Sequence, residues 1–239
     1  MNILTKSFET NYNTAPFSQI KNEDYVPAFQ EAIAETKKEI EQIASNPQPA
    51  TFENTIEALS FSGLQLDRIS NIFFNLHSAE TNDELEKIAV QVAPMLAELS
   101  SDITLNYDLF LKIKEVYDQK ENLNLSPEQD TLLTKNYKDF VRNGALLSDE
   151  KKKELREIDQ EMSVLKLNFA EHVLADTNAY QLHILKKEDL DGLPESVIEA
   201  AHELAKEEGK EGWIFTLDYP SYIPFMTYSS NRELRKELA

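Results

Sequence analysis

The stretch TFENTIEALSFSGLQLDRISNIFFNLHSAETNDEL, residues 51–85, predicts that the fold is helical. Apolar side chains recur along it every three or four residues, which is the spacing of one face of an α-helix. They are Phe52, Ile56, Leu59, Leu66, Ile69, Phe73 and Leu76. Thr51 stands where a capping residue would begin one long helix, and Thr81 with Glu84 has the spacing of a capping box for the next. The stretch therefore predicts two consecutive amphipathic helices.

The same pattern continues on both sides of this stretch. Asp24, followed by Pro27, indicates a helix start upstream, and Ser126 with Pro127 indicates another downstream. Pro94 falls within the helix that follows Thr81 and is expected to kink or divide it, because proline lacks the backbone donor. Ser148 is expected to begin a helix with a further apolar stripe, made of Leu155, Ile158, Met162, Leu165, Phe169 and Val173.

The pattern changes after Thr177. Residues 180–185 and 213–217 have the composition of short strands, with a helix between them from about residue 195 to 208. Residues 219–224 resemble an extended loop because two prolines interrupt them, and a last helix begins near Asn231. We therefore predict a mainly α fold of about seven or more helices, long and antiparallel, with a small β element near residues 180–217. The expected domains are 1–177, a helical domain, and 178–239, the start of a mixed α/β region.

Composition limits the function classes. The chain has 239 residues, 24 Lys and Arg against 43 Asp and Glu, and a net charge of −19, which argues against a nucleic-acid partner. It has no cysteine, which excludes disulfides, thiolate metal sites and cysteine nucleophiles. Only five glycines are present, and no glycine-rich phosphate loop occurs. Because no apolar run is long enough to span a membrane, we expect no membrane partner, and the absence of cysteine fits a cytoplasmic location.

One short segment comes close to a catalytic motif. His202-Glu203-Leu204-Ala205-Lys206 differs from HExxH only at its last position. Lysine carries a positive charge at neutral pH and repels zinc, so an ordinary amphipathic helix is the better interpretation. The other histidines, His77, His172 and His183, stand far apart in sequence and form no helical pair. We therefore assign no catalytic, cofactor-binding or metal-binding residue to this chain.

Residues 51–85 also resemble the thimet oligopeptidase and dipeptidyl carboxypeptidase family of zinc metallopeptidases. The resemblance continues through APMLAELSSDITLNYDLFLKIKEVYD, through LSPEQDTLLTKNYKDFVRNGALLSDEKKKELREIDQEMSVL and through YSSNRELRKEL, in family order. The segment NLHSAETNDEL is more similar to the dipeptidyl carboxypeptidase branch, although membership of the oligopeptidase branch remains an alternative.

The resemblance implies an N-terminal portion that forms a wall of a substrate channel for short peptides. It places zinc, HExxH and the general base in a C-terminal catalytic domain beyond these residues, so this portion alone should be inactive and hold no cofactor. Without that domain, exposed apolar side chains should cause self-association, with Trp213, Phe215, Tyr222, Ile223 and Phe225 as the candidates. The alternative is a free-standing, non-catalytic helical interaction module. A downstream reading frame with HExxH would separate the two hypotheses.

Overall fold

The computed structural model describes residues 2–239, which divide into two compact units, 2–167 and 168–239. Helices account for 72% of the chain, and a two-stranded antiparallel sheet is the small β element. The predicted fold class is therefore confirmed. The domain division 1–177 and 178–239 stays a prediction about the longer protein.

Most of the first unit is helical. Its helices are α1 (Asn22–Ala44), α2 (Ala58–Ser60), α3 (Leu64–Ala79), α4 (Asp83–Thr104), α5 (Tyr107–Asp118), α6 (Pro127–Arg142) and the beginning of α7 (Asp149–Ala179). A π-helical turn, Phe52–Glu57, precedes α2, and short 3-10 turns cover Asn11–Asn13, Phe17–Gln19 and Lys120–Asn122.

The second unit contains the sheet. After the end of α7 come β1 (Leu182–Ile184), a 3-10 turn (Lys187–Leu190), α8 (Glu195–Glu207), β2 (Trp213–Phe215), α9 (Tyr219–Tyr228) and α10 (Arg232–Leu238). The strands pair antiparallel with His183 opposite Ile214. Leu182, Ile184, Phe215, Phe225 and Leu238 form the centre of a separate apolar core.

Two of the predicted helix starts have the expected side-chain caps. The hydroxyl of Thr51 accepts a hydrogen bond of 3.1 Å from the backbone N–H of Asn54. The hydroxyl of Ser126 accepts one of 3.3 Å from Gln129, whose side chain accepts the N–H of Ser126 in return at 2.9 Å. Both caps depend on residues three positions apart, which is why local sequence predicts them.

The other predicted starts are shifted. Asn82, and not Thr81, caps α4: its side-chain oxygen accepts from the N–H groups of Glu84 and Leu85 at 3.1 Å. Thr81 instead donates to the side chain of Glu86, at 2.8 Å. Likewise α1 begins at Asn22, before Asp24, so Pro27 lies inside the helix rather than in its first turn.

The predicted extent of one helix was also wrong, and of the two outcomes expected at Pro94, a kink or a division, the division does not occur. The long helix predicted after Thr51 is broken at Gly63, which has a φ of +74° that residues other than glycine rarely adopt. Glu39 stabilises this break by accepting the N–H of Gly63 at 2.7 Å. In contrast, Pro94 does not divide its segment, because α4 continues from Asp83 to Thr104.

The first unit has two apolar cores. In one, α1, α3 and α4 enclose the ring of Phe73, which meets Tyr25 at 4.9 Å and Phe29 at 5.7 Å between ring centroids, edge to face. In the other, residues from α5 and α6 pack on the π-helical turn around Ile56, Leu109 and Leu133. Helix α7 has no fully buried residue, although its sequence carries a regular apolar stripe.

The candidate residues for self-association are mostly covered. Phe215 and Phe225 are fully buried and pack edge to face, with ring centroids 4.6 Å apart. Trp213 and Tyr222 are half-buried, and only Ile223 of the five is exposed. The predicted exposure of Phe215 and Phe225 was wrong because both lie in the apolar core of the second unit. Residues 219–224 form the first turns of α9 instead of the expected extended loop. Pro220 occupies the first turn, where a missing N–H costs nothing, so this proline starts a helix rather than preventing one.

Candidate functional site

The polar residues of the near-motif, His202, Glu203 and Lys206, lie on the exposed face of α8. His202 Nδ1 donates to the carbonyl of Gly212 at 3.0 Å, and its ring centroid is 6.1 Å from that of Trp213. Lys206 forms an ion pair of 3.2 Å with Glu203. The polar face of α8 therefore makes local contacts with the turn before β2, and the lysine neutralises the carboxylate that would serve as a base.

Two of the three other histidines also have local partners. His77 lies 3.1 Å from the carboxylate of Glu86, and His183 Nε2 donates to the carbonyl of Glu211 at 2.6 Å. Among residues 2–239, no three His, Asp or Glu side chains are placed to hold a metal ion. These residues therefore do not fit the zinc ion that the family resemblance implies. The absence of metal ligands from this part of the protein stays a prediction.

An apolar concave surface lies in the second unit, between α8, β2 and the start of α9. It has a volume of about 480 Å³. Its walls are mainly small or branched side chains, namely Val197, Ala200, Ala201, Leu204 and Ile214. Of the near-motif only Leu204 lines the cavity, and its polar residues His202, Glu203 and Lys206 do not.

Three polar side chains form the rim of this cavity. Thr216 donates its hydroxyl to the carboxylate of Asp218 at 2.9 Å, and its N–H donates to the hydroxyl of Ser221 at 3.0 Å. Within the described residues no histidine hydrogen-bonds to Ser221, so the rim lacks the base that would activate a serine nucleophile. The arrangement can bind or pack against an apolar group. Asp218 followed by Pro220 is a helix-start signal that could have revealed this turn in the sequence.

The turn between α8 and β2 requires a glycine. Gly212 has a φ of +90°, and a Cβ on it would lie 2.3 Å from the carbonyl oxygen of Ile184 in β1. A distance that short is a clash with backbone atoms, which have little freedom to move. Gly212 thus allows β1 to approach the turn that also accepts the hydrogen bond from His202.

In the first unit, a polar groove separates α7 from α4 and the end of α6. It has a volume of about 390 Å³, and Arg142, Asp159 and Met162 are among its lining residues. Near it, Asp102 of α4 contacts Lys37 of α1 at 2.8 Å and Arg156 of α7 at 2.6 Å. Burial alone would raise the pKa of Asp102, but the hydrogen bonds from Lys37 and Arg156 outweigh it and hold the pKa below its ordinary value.

Comparison with known proteins identifies relatives along nearly all of this chain. It is 35% identical to dipeptidyl carboxypeptidase of Escherichia coli over 228 residues, which is 95% of the chain. The chain is a homologue of peptidases. It is also 31% identical to oligopeptidase A of Salmonella typhimurium over 235 residues and 34% identical to oligopeptidase A of Haemophilus influenzae over 223 residues. The resemblance seen in residues 51–85 is therefore confirmed. No family model matches the chain.

The chain spans about a third of the length of these peptidases: 34%, 35% and 33% of the three named above. Both the dipeptidyl carboxypeptidase and the oligopeptidase A branches match at similar identity, so the comparison does not choose between them. In residues 2–239 no single helix is long and apolar enough to cross a membrane, although α4 and α5 meet that test together across a bend of 49°. The cytoplasmic location stays a prediction.

Proposed function

We propose that this chain is the N-terminal helical part of a zinc metallopeptidase that hydrolyses short peptides, and that it forms one wall of the substrate channel. The observation that carries the proposal is the 35% identity to a dipeptidyl carboxypeptidase over 95% of the chain. On this proposal the full-length enzyme is a peptidyl-dipeptidase, which releases dipeptides from the C-terminus of its substrate.

The helical architecture supports the role of a wall. The aromatic core around Phe73 and the second core around Leu109 give the first unit a rigid interior. A wall of packed helices admits flexible short peptides and excludes folded proteins, and it needs no chemistry of its own. The hydrolytic step then belongs to the rest of the polypeptide, with zinc and the general base.

The proposal is tested with two proteins from the same gene: the full-length product and the 239-residue chain. We expect the downstream reading frame to encode HExxH and the full-length protein to release dipeptides from a blocked short peptide, as followed by mass spectrometry. A chelator should stop the release and added zinc should restore it. The 239-residue chain should leave the same peptide intact under all conditions.

Substrate size tests the wall itself. The full-length enzyme should cleave a peptide of about ten residues that is extended in solution, and should not cleave the same sequence held in a folded domain. Hydrolysis by the 239-residue chain alone would contradict the proposal, as would a genuine stop codon after Ala239 in the gene. The latter result would favour the alternative, a free-standing helical interaction module.

A further inference from the structure

Helix α7 attaches to the first unit through its polar side. Arg156 contacts Asp102 at 2.6 Å, Asp159 accepts from the hydroxyl of Ser101 at 3.2 Å, and Lys152 donates to the carbonyl of Leu105 at 2.9 Å. Positions 152, 156 and 159 follow one another at helical spacing, so these contacts lie on one side of the helix.

Most of the apolar stripe of α7 is exposed beside this attachment, although Met162 also lines the groove between α7 and α4. Ile158, Met162 and Leu165 are 50%, 44% and 52% exposed. With about 100° between successive residues of an α-helix, these three lie roughly 120° around the helix from the attached side. An amphipathic helix of a globular protein normally buries its apolar side, whereas α7 leaves Ile158, Met162 and Leu165 exposed and packs only Leu167 against the apolar core.

The spacing of the exposed residues indicates what covers them. Ile158, Met162 and Leu165 follow the alternating four-and-three spacing of helix pairs that pack along their length, and the half-buried Leu155 precedes them at the same spacing. In the second unit, the sequence continues this spacing with Phe169, which is 72% exposed. Such a seam is complementary to another α-helix lying alongside α7, more than to an isolated loop or a small molecule.

The charges beside the seam specify that helix further. Glu157 and Glu161 lie along one edge of the stripe, both are exposed, and neither forms an ion pair within residues 2–239. Residues at the edges of a helix seam select partners by charge, so this edge favours lysine or arginine on the facing helix. A second copy of the chain is a poor partner because each copy carries a net charge of −19.

We infer that the exposed seam of α7 is the docking face for an amphipathic α-helix whose apolar side is flanked by basic residues. We place that helix in the part of the full-length protein outside these 239 residues, and this placement rests on the proposed function. The relatives are about three times as long as the region they share with this chain, so they contain sequence outside the shared region that could supply a helix of this kind.

A synthetic peptide tests the chemistry of the face without any peptidase assay. The probe is a helical peptide of about six turns with leucine at three-then-four spacing, lysine beside it and alanine elsewhere. One comparison peptide has glutamate in place of lysine, and another has the same composition in scrambled order. Binding to the 239-residue chain is measured by fluorescence anisotropy. We expect the lysine peptide to bind at least about tenfold more tightly than either comparison peptide.

Matched variants locate the binding site. Met162→Glu should weaken binding of the lysine peptide at least about tenfold, because it places a charge in the centre of the seam. Leu111→Glu is the control: Leu111 lies on α5 and is 43% exposed, against 44% for Met162. The double variant Glu157→Lys with Glu161→Lys should reverse the preference toward the glutamate peptide. Circular dichroism confirms that each variant is folded.

Several outcomes would overturn the inference. Equal binding of the scrambled peptide would mean that net charge alone attracts the probe, and unchanged binding by Met162→Glu would place the contact elsewhere. A dimer of the chain that forms through Met162 and is tighter than the peptide complex would assign the seam to a second copy. Peptidase activity of the full-length protein is a separate measurement, so it can succeed or fail independently of these results.

Discussion

Arg156 of α7 donates a hydrogen bond of 2.6 Å to the carboxylate of Asp102 on α4. Lys37 of α1 contacts the other carboxylate oxygen at 2.8 Å, so one acidic side chain connects three helices that are far apart in sequence. The attachment is polar and partly exposed. It holds α7 against the first unit while leaving the apolar side of the helix uncovered.

Asp102→Asn should make stability less dependent on pH. The pKa of Asp102 is lowered in the folded chain, so its charge contributes stability above its unfolded pKa, and that stability is lost as the pH falls through the folded pKa. The side chain is 35% exposed, so after allowing for solvent screening we expect the variant to lose at most about 1 kcal/mol near pH 7. The difference from wild type should shrink as the pH falls below the ordinary pKa of an aspartate and disappear below the lowered pKa of Asp102, as measured by urea unfolding. Asp118→Asn, which removes an exposed pair with Lys114, should cost less. A constant difference across this range would contradict the assignment.

Gly212→Ala should destabilise the second unit by about 2 kcal/mol or more, because it combines a positive φ with a backbone clash. Gly209→Ala is the matched control: its φ is +69°, but nothing lies within 4 Å of the added Cβ. The control should therefore cost only about 1 kcal/mol for the backbone conformation. Trp213 is the single tryptophan, so its fluorescence reports unfolding next to the mutated turn. Equal losses in the two variants would show that the contact with Ile184 is unimportant.

Lys206→His completes a formal HExxH at residues 202–206 and should still produce no peptidase. Two imidazoles one turn apart can hold zinc weakly, but a catalytic site needs a third protein ligand and an open position for water. His202 already donates to the carbonyl of Gly212, which competes with metal binding. We expect no hydrolysis of a quenched fluorescent peptide, with zinc or with chelator, by the wild-type chain or by the variant. Chelator-sensitive turnover by the wild-type chain that is lost in His202→Ala would show that the near-motif is a real site.

The isolated chain should self-associate weakly through α7, and more strongly as salt rises. At low ionic strength its net charge of −19 keeps copies apart, whereas about 0.5 M salt screens that repulsion and leaves the apolar contact. Sedimentation velocity at increasing salt measures the effect. Met162→Glu should remove the association and Leu111→Glu should retain it. Association that weakens with salt would indicate ion pairs rather than the apolar seam.

The helix starts show how far local sequence reaches. The caps at Thr51 and Ser126 were predicted because a capping hydroxyl and its target N–H are only three residues apart. The break at Gly63 was not predicted because the backbone angle of a single glycine cannot be read from a periodic sequence. Glu39, which stabilises the break, is also 24 residues away. The prediction of an extended loop at residues 219–224 was wrong because it treated the prolines as breaks in a helix. Pro220 instead occupies the first turn of α9, where proline favours a helix start.

The candidate surfaces depended more on tertiary structure. The near-motif could be dismissed from its lysine alone, since the charge of that side chain is a local property. The cavity between α8 and α9 could not be predicted. Its lining residues lie between positions 197 and 221, in α8, β2 and the start of α9, and they form a cavity only because these elements pack together.

By itself, the sequence determined the helical class, the small sheet, the peptidase relatives and the presence of an apolar stripe on α7. These follow from residue spacing, composition and similarity, which are properties of the sequence. Only the tertiary structure decided that the stripe is exposed and that Phe215 and Phe225 are covered. Periodicity shows that a helix has an apolar side, but whether that side is buried depends on which distant side chains hold the helix in place. For α7 those are Asp102 and Ser101, and they hold its polar side.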